Sequence, residues 1–398
     1  MNAKVMGLES FTRDDPIFVD ESVLRDTYRP TELIERDEEL AAYQSSLRPV
    51  INGAPPKNIF IYGQTGVGKT LATRLVTDRL IQDQQQYDDL NIEKIFLNCK
   101  PDKSSYQIAV KLVNTFRDPV DHIPSTGHSP GRVYQMLWTH INDLNASHLL
   151  IVLDEIDSIG TDDEILYELP RANDNDHVDD THVGVIGISN DFTFRDDLSA
   201  RVKDSLCDEE LHFPPYDATN LRHILARRAD KAFRDGVLEE GVIPLCAARA
   251  ANESGSARMA LKLLYKAGDL ARRRDESAVD EDIVDEARKL LEQGKIKDEL
   301  ARLPVHSKLT LRAITNLNKA GATPVKRREI YGLYLDLCEE IGTEPVTDRT
   351  IHDRISQLRQ KGFVEADERN DGLSGGSYNL YDLNIMVDAV DESLNLDR

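Results

Sequence analysis

The chain has 398 residues, 40% of them hydrophobic, enough for two or three domains with separate cores. Its 71 Asp and Glu face 49 Lys and Arg, a formal charge of −22, so the bulk surface repels nucleic acid and any such contact needs a local patch, while the acidity suits a cytoplasm of very high salt. Cys99, Cys207, Cys246 and Cys338 form no CxxC pair, no apolar run approaches the roughly 18 residues of a membrane helix, and the first ten residues are too polar for a signal peptide, which together predict a cytoplasmic protein with no zinc site and no membrane partner.

Residues 1–20 show no period and read as a tail or an edge segment. After the Pro30-Thr31 break a helix is expected to about Val50, and Gly53-Ala54-Pro55-Pro56 is a turn. Ile59-Phe60-Ile61-Tyr62 is a short apolar run. It leads into Gly63-Gln64-Thr65-Gly66-Val67-Gly68-Lys69-Thr70, and from Leu71 apolar residues recur at helical spacing. Strand, glycine turn and helix in this order fit the phosphate-loop pattern GxxxxGK[ST]. The glycines let the backbone wrap phosphates, so that successive N–H groups and the helix N-terminus face the anion. Lys69 reaches the outer phosphates, and the Thr70 hydroxyl can ligate magnesium. A nucleoside triphosphate with magnesium is the expected ligand.

Strand and helix continue to alternate, with a strand at 93–98 and helices at 106–116 and 133–144 around a loop at 122–131. Leu149-Leu150-Ile151-Val152-Leu153 runs into Asp154-Glu155, which reads as a fully buried parallel strand ending in carboxylates. From the C-terminal end of such a strand Asp154 would hold magnesium through water and Glu155 would polarise the attacking water. His177 and His182, among aspartates, read as a solvated acidic loop and not as a metal cluster. A second buried strand, 183–190, ends on Asn190, which either orients water near the terminal phosphate or merely forms a turn. Arg201 is either a finger into a neighbouring subunit's nucleotide or a surface ion-pair partner.

Phe213-Pro214-Pro215-Tyr216 breaks the alternation. Helical periods at 221–232, 243–252, 257–273 and 281–291 then make a small all-α domain. Arg258, on the first turn of its helix, is placed to reach back to the phosphates, and Tyr216 and Arg228 flank the junction where an adenine would be sandwiched. From 297 onward, helices at 309–317, 326–341 and 347–361 precede a hairpin around a Gly/Ser-rich turn at 372–377, the pattern of a winged helix. In the third helix Ile351, Ile355 and Leu358 share one face. That leaves Arg349, Thr350, Arg354 and Gln357 for a major groove, with Lys326, Arg327 and Arg328 to meet phosphates. The wing carries Arg369 among Glu365, Asp367, Glu368 and Asp371, a poor fit to a minor groove, so a protein-contacting winged helix stays open as an alternative.

Taken together, these motifs resemble the archaeal origin recognition and cell division control initiators, the Orc/Cdc family of AAA+ ATPases. The resemblance is carried by Arg25-Asp26, Tyr28-Arg29-Pro30, the phosphate loop, Asn98-Cys99, the segment 123–127, the strand ending at Asp157, Ser189-Asn190, Arg201, Phe213 to Tyr216, Arg258 and the segment 333–340. It implies an α/β fold: an AAA+ P-loop parallel sheet sandwiched by helices (21–216), an all-α lid (217–296) and a C-terminal winged helix (297–398). It also implies ATP and magnesium as cofactors, slow hydrolysis with ATP as a conformational ligand, and binding of double-stranded origin DNA. Recruitment of a replicative helicase and contacts with other initiator paralogues follow from it too, as does a further DNA contact at 124–127. Two departures stand out: Ser256 occupies a position where the family often has an acidic residue, and the wing lacks the usual Arg/Gly-rich tip. A paralogous regulator whose winged helix contacts proteins is the alternative.

Overall fold

The computed structural model describes residues 15–370 and 377–394, so most of the expected tail, Asp371 and most of the Gly/Ser-rich turn lie outside the described residues. The chain divides into two compact units, Met1–Val284 and Asp285–Arg398.

The first unit is built on five parallel strands: β1 (Ile59–Tyr62), β2 (Ile92–Asn98), β3 (His148–Asp154), β4 (His182–Ser189) and β5 (Glu209–His212), in the order β2-β3-β4-β1-β5. Every residue of β3 is buried. Leu149, Ile151 and Leu153 enter a core shared with the helices Ser105–Thr115 and Pro130–Asn142, while Leu150 and Val152 are equally buried and alternate to the other face. A strand covered on both faces has to be apolar between its ends, which is why Leu149 to Leu153 were legible. β5 was not anticipated, because Glu209-Glu210-Leu211-His212 is polar; as an edge strand it needs only Leu211 inside. Asn190 follows β4, which lies between β1 and β3, so the C-terminal strand ends bring phosphate loop, acid pair and Asn190 together.

Helices Ala218–Ala232, Val242–Glu253 and Ala257–Arg273 form the lid. Residues 15–20 are not a loose tail. Phe18 makes an antiparallel bridge to Phe233, the Val19 N–H donates to Ala232 O at 2.8 Å, and Ile17 and Phe18 are buried. Gly268 makes room for this docking, since a Cβ there would lie 2.5 Å from the Phe18 ring. Helix Glu281–Ala301 runs on past the expected end at 291, so the expected lid boundary at 296 falls inside a helix. Gly294 and the polar residues around it hid this continuation.

The second unit packs Val305–Lys319, Arg327–Ile341 and Asp348–Gln360 against a small antiparallel sheet of β6 (Val325–Lys326), β7 (Val364–Asn370) and β8 (Ser377–Leu383), in the order β6-β8-β7. A final helix, Val387–Ser393, adds Val390 to its core. β6 and this last helix are too short to leave a periodic signal.

Candidate functional site

The phosphate loop is a backbone cradle. Gly66 has φ +85°, and a Cβ there would lie 2.1 Å from Ser256 Oγ; one at Gly63 would lie 2.3 Å from Phe213 O. Only glycine allows this approach of loop, lid and strand. Lys69 opens helix Lys69–Asp83 and is buried, its ammonium donating to Gly63 O (2.7 Å), Gln64 O (2.8 Å) and Asn190 Oδ1 (2.9 Å). Burial lowers its pKa to about 8 despite Asp154 and Asp157 nearby. A cation held so far from water is poised for an anionic ligand.

The Thr70 hydroxyl donates to Asp154 at 3.2 and 3.0 Å from its two carboxylate oxygens, and burial pushes the Asp154 carboxyl above its ordinary range. A hydroxyl beside a buried carboxylate is the oxygen donor set that suits magnesium, and the glycine cradle fits a triphosphate. Glu155 stands in the left-handed region (φ 59°, ψ 45°), a conformation retained mostly where function requires it, with the Lys100 ammonium 3.6 Å away. Asn190 is fixed from two sides, since its backbone N–H donates to Asp157 Oδ1 at 2.9 Å while its side chain receives Lys69.

These groups open on a cavity of about 440 Å³ lined by Thr65, Gly66, Gly68, Lys69, Thr70 and Leu71, by Asp154, Glu155 and Asn190, and by lid residues including Arg228 and Arg258. Gln64 and Val67 do not line it: the Gln64 carbonyl accepts from Lys69, and Val67 is buried. The lid meets the loop directly: the Ala257 N–H donates to Gly66 O at 3.0 Å, and Arg258 sits 3.6 Å from Asp26. Tyr216 and Arg228 both line the cavity, each already stacked within the protein. The Arg36 guanidinium lies 3.8 Å from the Tyr216 ring centroid, and that of Arg228 lies 4.4 Å from Tyr28. The segment 24–34 forms another wall, for which sequence reasoning assigned no role.

Arg201 is exposed, 4.9 Å from the Tyr167 ring centroid, and does not line this cavity. His177 stacks on Trp138 at 5.4 Å and His182 faces His148 at 5.3 Å, so the two histidines have different neighbours. No group of three or more His, Cys, Asp or Glu residues suited to a metal ion occurs among the described residues. None of the described helices is long and apolar enough to cross a membrane.

In the second unit Ile351, Ile355 and Leu358 are buried, while Arg349 and Gln357 are exposed. Thr350 bonds to the helix cap Thr347, Arg354 donates to Gln357 at 3.0 Å, and Arg327 pairs with Asp348 at 2.8 Å. Arg328 is exposed, Lys326 lies 4.0 Å from the Tyr378 ring centroid, and Arg369 pairs with Asp367 at 2.9 Å. In the first unit, residues 124–127 form an exposed loop.

A parallel sheet bearing a phosphate loop, an acid pair at a strand end and a helical lid that reaches the loop defines an AAA+ ATPase unit, followed here by a winged helix. Family models match in that order: an AAA domain over residues 54–191, the Cdc6 AAA+ ATPase-type lid domain over 222–289, and the CDC6 C-terminal winged helix domain over 298–393. The chain is 56% identical over 408 residues to ORC1-type DNA replication protein 1 of Haloarcula marismortui, covering 99% of this chain and 96% of that protein. It is 42% identical over 362 residues to the ORC1-type DNA replication protein of Pyrococcus abyssi, covering 90% and 85%. The solved structure of the Aeropyrum pernix ORC1 protein in complex with DNA aligns with a TM-score of 0.82 at 36% identity over 98% of both chains. The chain belongs to the ORC1-type family of DNA replication proteins.

Proposed function

We propose that the chain is an ATP-switched replication initiator that binds double-stranded origin DNA through its winged helix and hydrolyses ATP slowly. The observation that carries the nucleotide half is the convergence of base and lid on one cavity, with Lys69, Thr70 and Asp154 from the base and Arg258 from a lid helix whose first amide is bonded to Gly66. Backbone amides from Gly63 to Leu71 receive the phosphates, and Lys69 and Arg258 neutralise them. Thr70 and Asp154 hold magnesium, which when bound neutralises charge on the phosphate oxygens. Glu155 takes the proton of the attacking water and Asn190 orients that water. Arg201, exposed and absent from the lining of its own cavity, serves a neighbouring initiator's nucleotide. ATP and its hydrolysis product favour different lid positions, so the nucleotide acts as a population switch.

The DNA half is supported by the Aeropyrum relative solved with DNA and by the exposed Arg349 and Gln357 on the helix face opposite the core. Lys326, Arg327 and Arg328 meet the backbone, with Thr350, Arg354 and Arg369 nearby and residues 124–127 as a second contact. Helicase recruitment and contact with paralogous initiators, in the cytoplasm, complete this reading. A second reading, in which the winged helix contacts a protein, is favoured by the acidic strand β7 and the internal pairing of Arg327 and Arg369.

Equilibrium binding of ATP with magnesium in near-molar KCl tests the nucleotide half. Wild type should bind, and Lys69→Ala should lose at least about a hundredfold in affinity, since it removes the buried cation that meets the phosphates. Equal binding by the two proteins would reject the site.

A further inference from the structure

Glu35 and Arg36 are adjacent in the chain but grip different parts of the first unit. Arg36 is almost wholly buried, 4% exposed, just before helix Asp37–Ile51. Its guanidinium donates through Nε to Val67 O at 3.2 Å, through Nη1 to Glu39 at 2.5 Å and through Nη2 to Pro214 O, and its plane covers Tyr216 at 3.8 Å. One side chain thus ties the phosphate loop to the segment that leads from the last base strand into the lid. Glu35, forced to φ 62°, turns the other way. Its two carboxylate oxygens accept from Asn220 Nδ2 at 2.6 Å and His223 Nδ1 at 2.7 Å on lid helix Ala218–Ala232.

The Val67 bond matters for the ligand. In a trans peptide the C=O and the next N–H point in opposite directions, so holding the Val67 carbonyl outward against Arg36 aims the Gly68 N–H inward, where Gly68 lines the cavity. Arginine suits this place because its planar fork serves three acceptors while stacking on an aromatic ring; a lysine ammonium does not span that geometry.

We infer that Arg36 is a positioning residue that presets a phosphate-binding amide and, with Glu35 as its lid arm, transmits occupancy of the phosphate loop to the lid. The inference rests on reading the cavity as a nucleotide site. An occupied loop holds its Val67–Gly68 peptide in one orientation, which fixes Arg36, and Arg36 fixes the Pro214–Tyr216 stretch on which the lid turns.

The test uses the full chain with Arg36→Lys, Arg36→Ala and Glu35→Ala. ATP affinity is measured alongside hydrogen exchange at the Tyr216 and Ala257 amides, which bond to Gly255 O and Gly66 O. Wild type should bind ATP and gain protection at both amides. Arg36→Lys should stay folded by its thermal transition, bind ATP about tenfold or more weakly, and show little ATP-dependent protection at Tyr216. Added guanidinium ion, against a urea control, should restore part of the affinity of Arg36→Ala. Glu35→Ala should keep ATP affinity within about threefold while losing the protection at Tyr216, because it removes only the lid arm. A folded Arg36→Lys that binds ATP like wild type with the amide response intact would overturn this inference and leave the nucleotide site standing. Failure of wild type to bind ATP would overturn both.

Discussion

At Gly66 two demands meet on one atom. The backbone is left-handed, and a methyl would press on Ser256 Oγ at 2.1 Å and on Arg258 Cβ at 3.0 Å. Gly66→Ala should therefore strain the loop by about 1 kcal/mol or more and push the first lid turn away. The expected outcome is an ATP affinity lowered by about tenfold or more with only a small fall in melting temperature; unchanged affinity would contradict the contact. Asp154 shows the opposite balance. Its carboxylate is buried with a hydroxyl for a partner, so Asp154→Asn keeps a polar group for Thr70 and removes a desolvated charge. The nucleotide-free variant should be as stable as wild type or more so, by up to about 1 kcal/mol, while magnesium-dependent ATP binding is lost, as thermal melts and titrations would show. Both residues were legible in the sequence because a phosphate loop and a strand-end carboxylate are local patterns. Glu35 and Arg36 were not: inside the helix expected after Pro30-Thr31 they look like two solvated charges, whereas the helix begins only at Asp37 and tertiary contacts show that Arg36 is buried.

Among the elements, the segment 15–25 gained the most meaning from the structure. It lacked a period because residues 15–20 form no regular element and Glu21–Leu24 is a single turn of 3-10 helix. It docks through Phe18, which lies 4.8 Å from Phe233 and 5.9 Å from Tyr265 between ring centroids, and through Arg272, which pairs with Asp15 at 2.8 Å, Glu21 at 2.9 Å and Asp269 at 2.9 Å. Burial works to raise the Asp15 carboxyl, but the Phe18 amide and Arg272 outweigh it and hold it below its ordinary range; for Asp269, Arg272, Arg273 and Lys266 outweigh burial in the same way. Depressed carboxylates stabilise the fold above their ordinary pKa and lose that contribution as pH falls through the folded-state values. The segment should therefore loosen below about pH 4. Arg272→Met should loosen it at neutral pH, at a cost of about 1–2 kcal/mol, read as faster proteolysis within residues 15–25. An unchanged digestion pattern would show that buried Ile17 and Phe18 and the backbone bonds around them hold the segment without Arg272. The long helix through 281–301 is a related case, since beyond Gly294 only Ile296 and Leu300, one turn apart, reach the core of the second unit, too short a stripe to read as a continued helix.

For the whole molecule, a charge of −22 coexists with a cation-lined cavity: Arg25, Arg29, Arg74, Arg227, Arg228 and Lys231 join Lys69 and Arg258 around it. Eight cationic side chains thus gather around one cavity of a chain that is acidic as a whole. The order of base, lid and winged helix was legible because each has its own period and the phosphate loop marks the first. The use of the winged helix was not, since the fold serves DNA and protein partners alike and Arg327 and Arg369 are paired internally. Footprinting of the chain with ATP on genomic fragments in near-molar KCl, wild type beside Arg349→Ala plus Arg354→Ala, tests the central claim most directly. An initiator that reads sequence through the helix Asp348–Gln360 protects discrete repeats, and the double variant loses that protection while still binding ATP. Absence of protection by wild type under conditions where it binds ATP would contradict origin binding and leave the protein-contacting reading in its place.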